Sequence, residues 1–258
     1  MLKQILATKQ NEIERIELPP RYHFPRFSLC TALKNAKRSI GMIAEVKKAS
    51  PSKGIIRPNF QPVEIAKAYE QAGVDAISVL TDQTYFQGHY RYLIEIKETV
   101  RLPVLRKDFI IDRLQIEESA RIGADAILLI GEALSPKKLH ELYEEAYEKG
   151  LECLVEVHSR QTLEAILERF TPEIVGINNR DLQTFTTSLD ATKNLLPHVP
   201  PSCVVVSESG IANAYDLQRV RAYGAHAVLV GESLMRQDDV MQAVDELYKE
   251  VRSDVRPS

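Results

Sequence analysis

Apolar and polar positions alternate along most of the chain in two periods. Short apolar runs occupy 42–47, 75–80, 103–106, 125–130, 152–156, 174–178, 203–207 and 227–230. Between them, apolar residues recur at helical spacing near 62–72, 90–99, 112–121, 136–149, 159–168, 188–195, 212–222 and 233–251. Runs of that length read as strands, and strands that alternate with helices through short connections pair in parallel. Eight such units of about 25 residues each predict an α/β fold, a (β/α)8 TIM barrel. Ahead of the first strand, Leu2, Ile5, Leu6, Ile13 and Ile16 recur at roughly helical spacing between charged residues. They predict an amphipathic N-terminal helix that docks. Pro19, Pro20 and Pro25 interrupt the next stretch, and Leu29 to Arg38 suggests a second short helix. The expected organisation is one barrel domain over residues 1–258, with residues 1–40 a helical extension packed on it and lying over its mouth.

An internal echo supports closure. Gly73-Val74-Asp75-Ala76-Ile77 returns as Gly123-Ala124-Asp125-Ala126-Ile127 and as Gly224-Ala225-His226-Ala227-Val228, at the starts of the second, fourth and eighth strands. Each glycine is expected to end a helix in the left-handed conformation. In such barrels the N-terminal ends of the strands serve stability and the C-terminal ends carry chemistry, so the echo is assigned to stability.

Polar residues gather at the opposite strand ends. Glu45 and Lys47, two residues apart, share one face of the first strand. Charges projecting inward there are costly unless they pair or meet a ligand. The same alternation sets Lys107 beside Leu105, Glu156 beside Leu154, Asn178 beside Gly176 and Glu208 beside Val206. Any one of these can be a solvated side chain, a cap or a turn residue. Together at one rim they call for a polar ligand among them. The turns Glu208-Ser209-Gly210-Ile211 and Gly231-Glu232-Ser233-Leu234 put a glycine at a strand end ahead of a helix. Glycine lets the backbone approach an anion, and the loops after the seventh and eighth strands are a frequent phosphate site. A phosphorylated substrate is expected.

Composition removes other classes. A net charge of -3 and a pI near 6.1 give no basic field for nucleic acid. Cys30, Cys153 and Cys203 have neither metal-ligand spacing nor a disulfide framework and read as reduced core residues. The N-terminus lacks the apolar region of a signal peptide, and no apolar run approaches the ~18 residues of a membrane span. A soluble cytoplasmic protein is expected. Because the chain ends at Ser258 soon after the eighth helix, no fused second enzyme is expected.

Several stretches then resemble one family. They are Glu45-Val46-Lys47-Lys48-Ala49-Ser50-Pro51-Ser52-Lys53-Gly54, Leu80-Thr81-Asp82 with Tyr85-Phe86-Gln87-Gly88, Leu105-Arg106-Lys107-Asp108-Phe109-Ile110, Val155-Glu156-Val157-His158, Ile177-Asn178-Asn179-Arg180-Asp181-Leu182, Ser207-Glu208-Ser209-Gly210-Ile211 and Gly231-Glu232-Ser233-Leu234-Met235-Arg236. The resemblance is to indole-3-glycerol-phosphate synthases; it runs from the N-terminal helix to about residue 237, and the Glu-x-Lys-x-x-Ser-Pro block is highly specific. It implies closure of 1-(2-carboxyphenylamino)-1-deoxyribulose 5-phosphate to indole-3-glycerol phosphate with loss of CO2 and water, a carboxy-lyase step of tryptophan biosynthesis. No metal or organic cofactor is implied.

Carried over by matched position, the resemblance implies that Lys107 is the general acid at the ketone oxygen and Glu156 the acid-base partner in dehydration. Lys47 holds the substrate carboxylate or shares proton transfer, and Glu45 orients Lys47. Asn178 and Glu208 bind the sugar hydroxyls or order the network. Ser50 and Arg180 steady the anionic substrate, Phe86, Phe109 and Leu128 wall the aromatic ring, and Ser209, Gly210, Gly231 and Glu232 frame the phosphate. Whether Lys107 or Lys47 donates the proton depends on the charges around each.

Two positions depart from the family pattern. Glu232 stands where serine is common, which predicts a phosphate held by backbone N–H with the carboxylate turned away. Asn179 replaces a commonly small residue. A phosphoribosylanthranilate-type isomerase would share the two phosphate loops but has no need of Glu45, Lys47, Lys107 and Glu156 together. A non-catalytic phosphometabolite-binding barrel would be expected to have lost one of those groups. The sequence leaves a monomer and a non-covalent complex with a neighbouring pathway enzyme both open.

Overall fold

The structure, a computed structural model, describes residues 1–181 and 186–249. Two helices, α1 (Leu2–Ile13) and α2 (Leu29–Lys34), precede β1 (Gly41–Val46). A two-stranded hairpin of β2 (Ala49–Ser50) and β3 (Gly54–Ile55) follows. Then come α3 (Pro62–Gln71), β4 (Ala76–Leu80), α4 (Tyr90–Thr99), β5 (Val104–Lys107), α5 (Arg113–Arg121), β6 (Ala126–Ile130) and α6 (Pro136–Glu148). The chain continues through β7 (Glu152–Val157), α7 (Arg160–Leu167), β8 (Ile174–Asn178), α8 (Asp190–Leu195), β9 (Val204–Glu208), α9 (Ala214–Tyr223), β10 (Ala227–Val230), α10 (Glu232–Met235) and α11 (Val240–Leu247).

The long strands close into a parallel barrel, β1 pairing with β4 on one side and β10 on the other. Alternation along each strand makes two apolar layers. Ile43, Leu105, Leu154, Ile174 and Val206 meet inside the barrel, while Met42, Ala44, Ile77, Leu129 and Val155 face the helices. The helices begin where short polar side chains accept first-turn amides: Asp112 with Gln115 in a capping box, Ser135 ahead of Pro136, then Ser159, Asn213 and Asp239. No helix among the described residues is long and apolar enough to cross a membrane. The three cysteines are buried and unpaired.

The echo has a structural cause. Gly73, Gly123 and Gly224 have φ of +76°, +85° and +102°, the left-handed turn that ends a helix. The third echo residue accepts the amide of the preceding barrel strand: Asp75 from Met42 at 2.9 Å, Asp125 from Val104 at 2.8 Å, His226 from Val205 at 3.0 Å. Each satisfies a buried N–H at the barrel floor.

The structure departs from the sequence pattern in three places. The single helix expected over 233–251 is broken into α10 and α11, because Asp239 caps a new start, and its end lies outside the described residues. The β2–β3 hairpin, only two residues per strand, carries too little periodicity to be read. The N-terminal segment divides between both ends of the barrel. Leu29, Cys30 and Leu33 of α2 join the interior core, and Ser28 Oγ and Cys30 N donate to Glu152 at the start of β7, at 2.6 and 2.8 Å. That end is the floor; only α1 reaches the mouth, where Met1, Leu2 and Ile5 roof a cavity.

Candidate active site

The C-terminal strand ends enclose a cavity of about 720 Å³, within the range of small-molecule sites. Every residue to which the resemblance assigns a site role lines it: Glu45, Lys47, Ser50, Phe86, Lys107, Phe109, Leu128, Glu156, Asn178, Arg180, Glu208, Ser209, Gly210, Gly231 and Glu232.

Lys107, at the end of β5, reaches across the barrel. Its Nζ lies 3.1 Å from Glu156 Oε2 on β7 and 3.0 Å from Glu208 Oε2 on β9. Burial works against its charge, but Glu156, Glu208 and Glu45 outweigh burial and hold its pKa well above the ordinary lysine value. The two carboxylates part company. Burial raises both, yet Lys107, His158 and Asn178 pull Glu156 below the usual range, whereas for Glu208 burial, reinforced by the neighbouring Glu156 charge, outweighs Lys107 and pushes it up. Glu208 Oε1 is buried without a hydrogen bond among the described residues.

Lys47 pairs with Glu45 on the same face of the chain leaving β1. Gly231 makes room for that pair: a Cβ there would sit 2.2 Å from Glu45 Oε2 and 3.0 Å from Lys47 Nζ. Gly176 does the same for Glu208, whose Oε1 would lie 2.1 Å from an added Cβ. The glycines at these strand ends therefore admit side chains into the mouth.

An aromatic wall stands beside Lys107. The Phe86 and Phe109 ring centroids are 6.1 Å apart, tilted by 38°. Asp82 Oδ1 accepts the amides of Tyr85 and Phe86, and Asp108 Oδ1 accepts that of Phe109. Both carboxylates are held by a residue the sequence reading passed over. Lys9 of α1 is 3% exposed, and its Nζ lies 2.8 Å from Asp82 Oδ2, 2.9 Å from Asp108 Oδ1 and 2.8 Å from Glu12 Oε2. Its position in the apolar stripe between Ile5 and Ile13 was the signal for it.

The two glycine turns differ. After β10, Gly231 leads directly into α10 with no side-chain cap on its first-turn amides, and Gly231, Glu232 and Ser233 line the cavity. After β9, Ser209 and Gly210 both have positive φ, +66° and +83°, and α9 begins only at Ala214, capped by Asn213. No helix start abuts Gly210, contrary to expectation. The Glu232 carboxylate lies 3.0 Å from Arg236 and 3.8 Å from both Lys53 and Arg180. Asn179 turns away from the cavity and ties the β9 end to α8, donating to Ser207 Oγ and Ser209 O and accepting from Thr192. Leu182 of the matched block lies outside the described residues.

The family model described as indole-3-glycerol phosphate synthase matches residues 2–247. The chain belongs to the indole-3-glycerol phosphate synthase family. It is 67% identical to the indole-3-glycerol phosphate synthase of Geobacillus sp. (strain WCH70) over 258 residues, with all of both chains covered. It is also 67% identical to that of Geobacillus kaustophilus (strain HTA426), covering 98% of this chain and 99% of the relative. Identity to the Priestia megaterium (strain ATCC 12872 / QMB1551) synthase is 60%, covering 97% and 98%. Among solved structures, the thiamine phosphate pyrophosphorylase of Pyrococcus furiosus superposes with a TM-score of 0.60 at 17% identity, covering 83% of this chain and 96% of that one. The 3-hexulose-6-phosphate synthase of Salmonella typhimurium gives 0.62 at 13%, covering 81% and 97%. These two share the barrel fold with this synthase-family chain.

Proposed function

We propose that the chain closes 1-(2-carboxyphenylamino)-1-deoxyribulose 5-phosphate to indole-3-glycerol phosphate, with Lys107 as the proton donor. The observation that carries the reading is the Lys107 ammonium facing the cavity between Glu156 and Glu208. Ring closure makes the ketone oxygen an alkoxide, far more basic than an amine, so a lysine kept charged by carboxylates gives up its proton at the moment that charge develops. A charged lysine beforehand is what such a step requires.

The remaining roles follow from position. Phe86, Phe109 and Leu128 hold the aromatic ring against the sugar carbon it attacks, which supplies orientation. Lys47, kept in place by Glu45, meets the substrate carboxylate until it leaves as CO2. Glu156 exchanges protons during loss of water, assisted by Asn178, and Glu208 orders Lys107. Ser209, Gly210, Gly231 and the first amides of α10 receive the phosphate, with Ser50 and Arg180 beside it. Glu232 gathers Lys53, Arg180 and Arg236 at that corner rather than binding phosphate through its carboxylate. Substrate added to the purified protein should yield indole fluorescence. A protein that binds the substrate but forms no indole would overturn the reading.

A further inference from the structure

Two groups behind Glu156, His158 and Glu132, carry no step of the proposed reaction. His158 lies two residues further along the same strand end, and its Nε2 faces Glu156 Oε1 at 3.5 Å. That nitrogen is buried and has no aligned hydrogen bond among the described residues. On its other side, Glu132 accepts the His158 amide at 2.9 Å and meets Nδ1 at 2.9 Å. The Glu132 side chain is 20% exposed and that of His158 10%. The groups acting on the ring are thus Glu132 from the turn after β6, Glu156 from β7 and Glu208 from β9. Lys107 of β5 lies beyond the Glu156 carboxylate.

The stoichiometry of the proposed reaction creates a need for such a group. The ketone oxygen leaves as water and takes up two protons. The CH2 beside nitrogen gives back one, and an ionised carboxyl leaves as CO2 without any. Each turnover therefore draws one proton from solvent into a mouth roofed by α1. We infer that His158, oriented by Glu132, stores that proton and passes it to Glu156, which delivers it to the departing hydroxyl. The Nε2–H bond breaks as Glu156 Oε1–H forms, the imidazolium becomes neutral imidazole, and the acid then protonates the oxygen as its C–O bond breaks. Water recharges the ring when product leaves. Burial opposes the charge on the ring, but Glu132, Glu156 and Glu208 outweigh it and raise the ring's proton affinity, the direction a proton store requires. His158 acts through Glu156 and is a positioning and proton-supplying residue.

The inference rests on the synthase reading, and the two fail separately. Absence of indole formation by the parent protein rejects the reading itself. Given parent turnover, kcat should fall on the alkaline side as the ring loses its proton. His158→Gln should lower kcat about 100-fold with KM unchanged and abolish that limb. Glu132→Gln keeps the histidine and an acceptor for Nδ1–H but removes a charge, so the limb should move to lower pH; this variant also serves if His158→Gln does not fold. A kcat in His158→Gln equal to the parent's, or a limb that Glu132→Gln does not move, overturns the inference.

Discussion

Replacing Lys9 with methionine tests how α1 is fastened over the mouth. The side chain keeps its apolar stem but loses an ammonium that touches Asp82, Asp108 and Glu12. Asp108 retains Arg106 at 3.3 Å and Thr81 at 2.5 Å, whereas the 2.8 Å pairing of Asp82 with Lys9 is lost outright. Stranding a buried charge in this way costs about 3–5 kcal/mol. Because α1 is terminal, the chain can escape that cost by undocking α1 and letting water reach Asp82. The barrel stays folded. At 1.4 kcal/mol per factor of ten, undocking becomes at least about 100-fold more favourable. Substrate must then recover the docked state, so KM rises by up to that same factor, while kcat at saturation changes less. The assay is indole fluorescence against substrate concentration, with hydrogen exchange read over residues 2–13. Unchanged KM with unchanged α1 protection would refute the latch.

Three further outcomes are expected. Gly231→Ala drives a methyl to 2.2 Å from Glu45 Oε2 and should lower kcat/KM about tenfold or more, with Tm less affected, measured by turnover and thermal unfolding. Lys97→Met, at the floor, removes a fully buried ammonium from Asp125 at 2.7 Å; it should cost about 3–5 kcal/mol in denaturant unfolding and leave KM unchanged. Asp108 ionises at about 2 rather than 3.8, because Arg106 and Lys9 outweigh its burial. A depressed carboxylate stabilises above 3.8, and that contribution is lost as pH falls toward about 2, so Asp108→Asn should flatten stability against pH across that window.

The barrel was legible because strands buried on both faces read as apolar runs and the segments between them repeat apolar residues at helical spacing. The lining of the candidate site was legible because Glu45 and Lys47, Lys107, Glu156, Asn178 and Glu208 all fall at C-terminal strand ends, where alternation sends them inward. What escaped was carried by contacts between distant segments. Lys9 was visible as a charge in an apolar stripe, but its partners lie at residues 82 and 108. The position of α2 depends on Glu152, and His158 gains meaning only from Glu132 across the next strand. Gly231 was read as an anion contact, and its crowding against Glu45 needed the closed ring of strands.

The most direct test of the proposed mechanism compares indole formation by the parent, Lys107→Ala and Lys47→Ala at saturating substrate. The account predicts turnover by the parent, a fall in kcat of about 100-fold or more in Lys107→Ala, and in Lys47→Ala an effect weighted toward KM. Parent-level kcat in Lys107→Ala, with the loss appearing in Lys47→Ala instead, would contradict it.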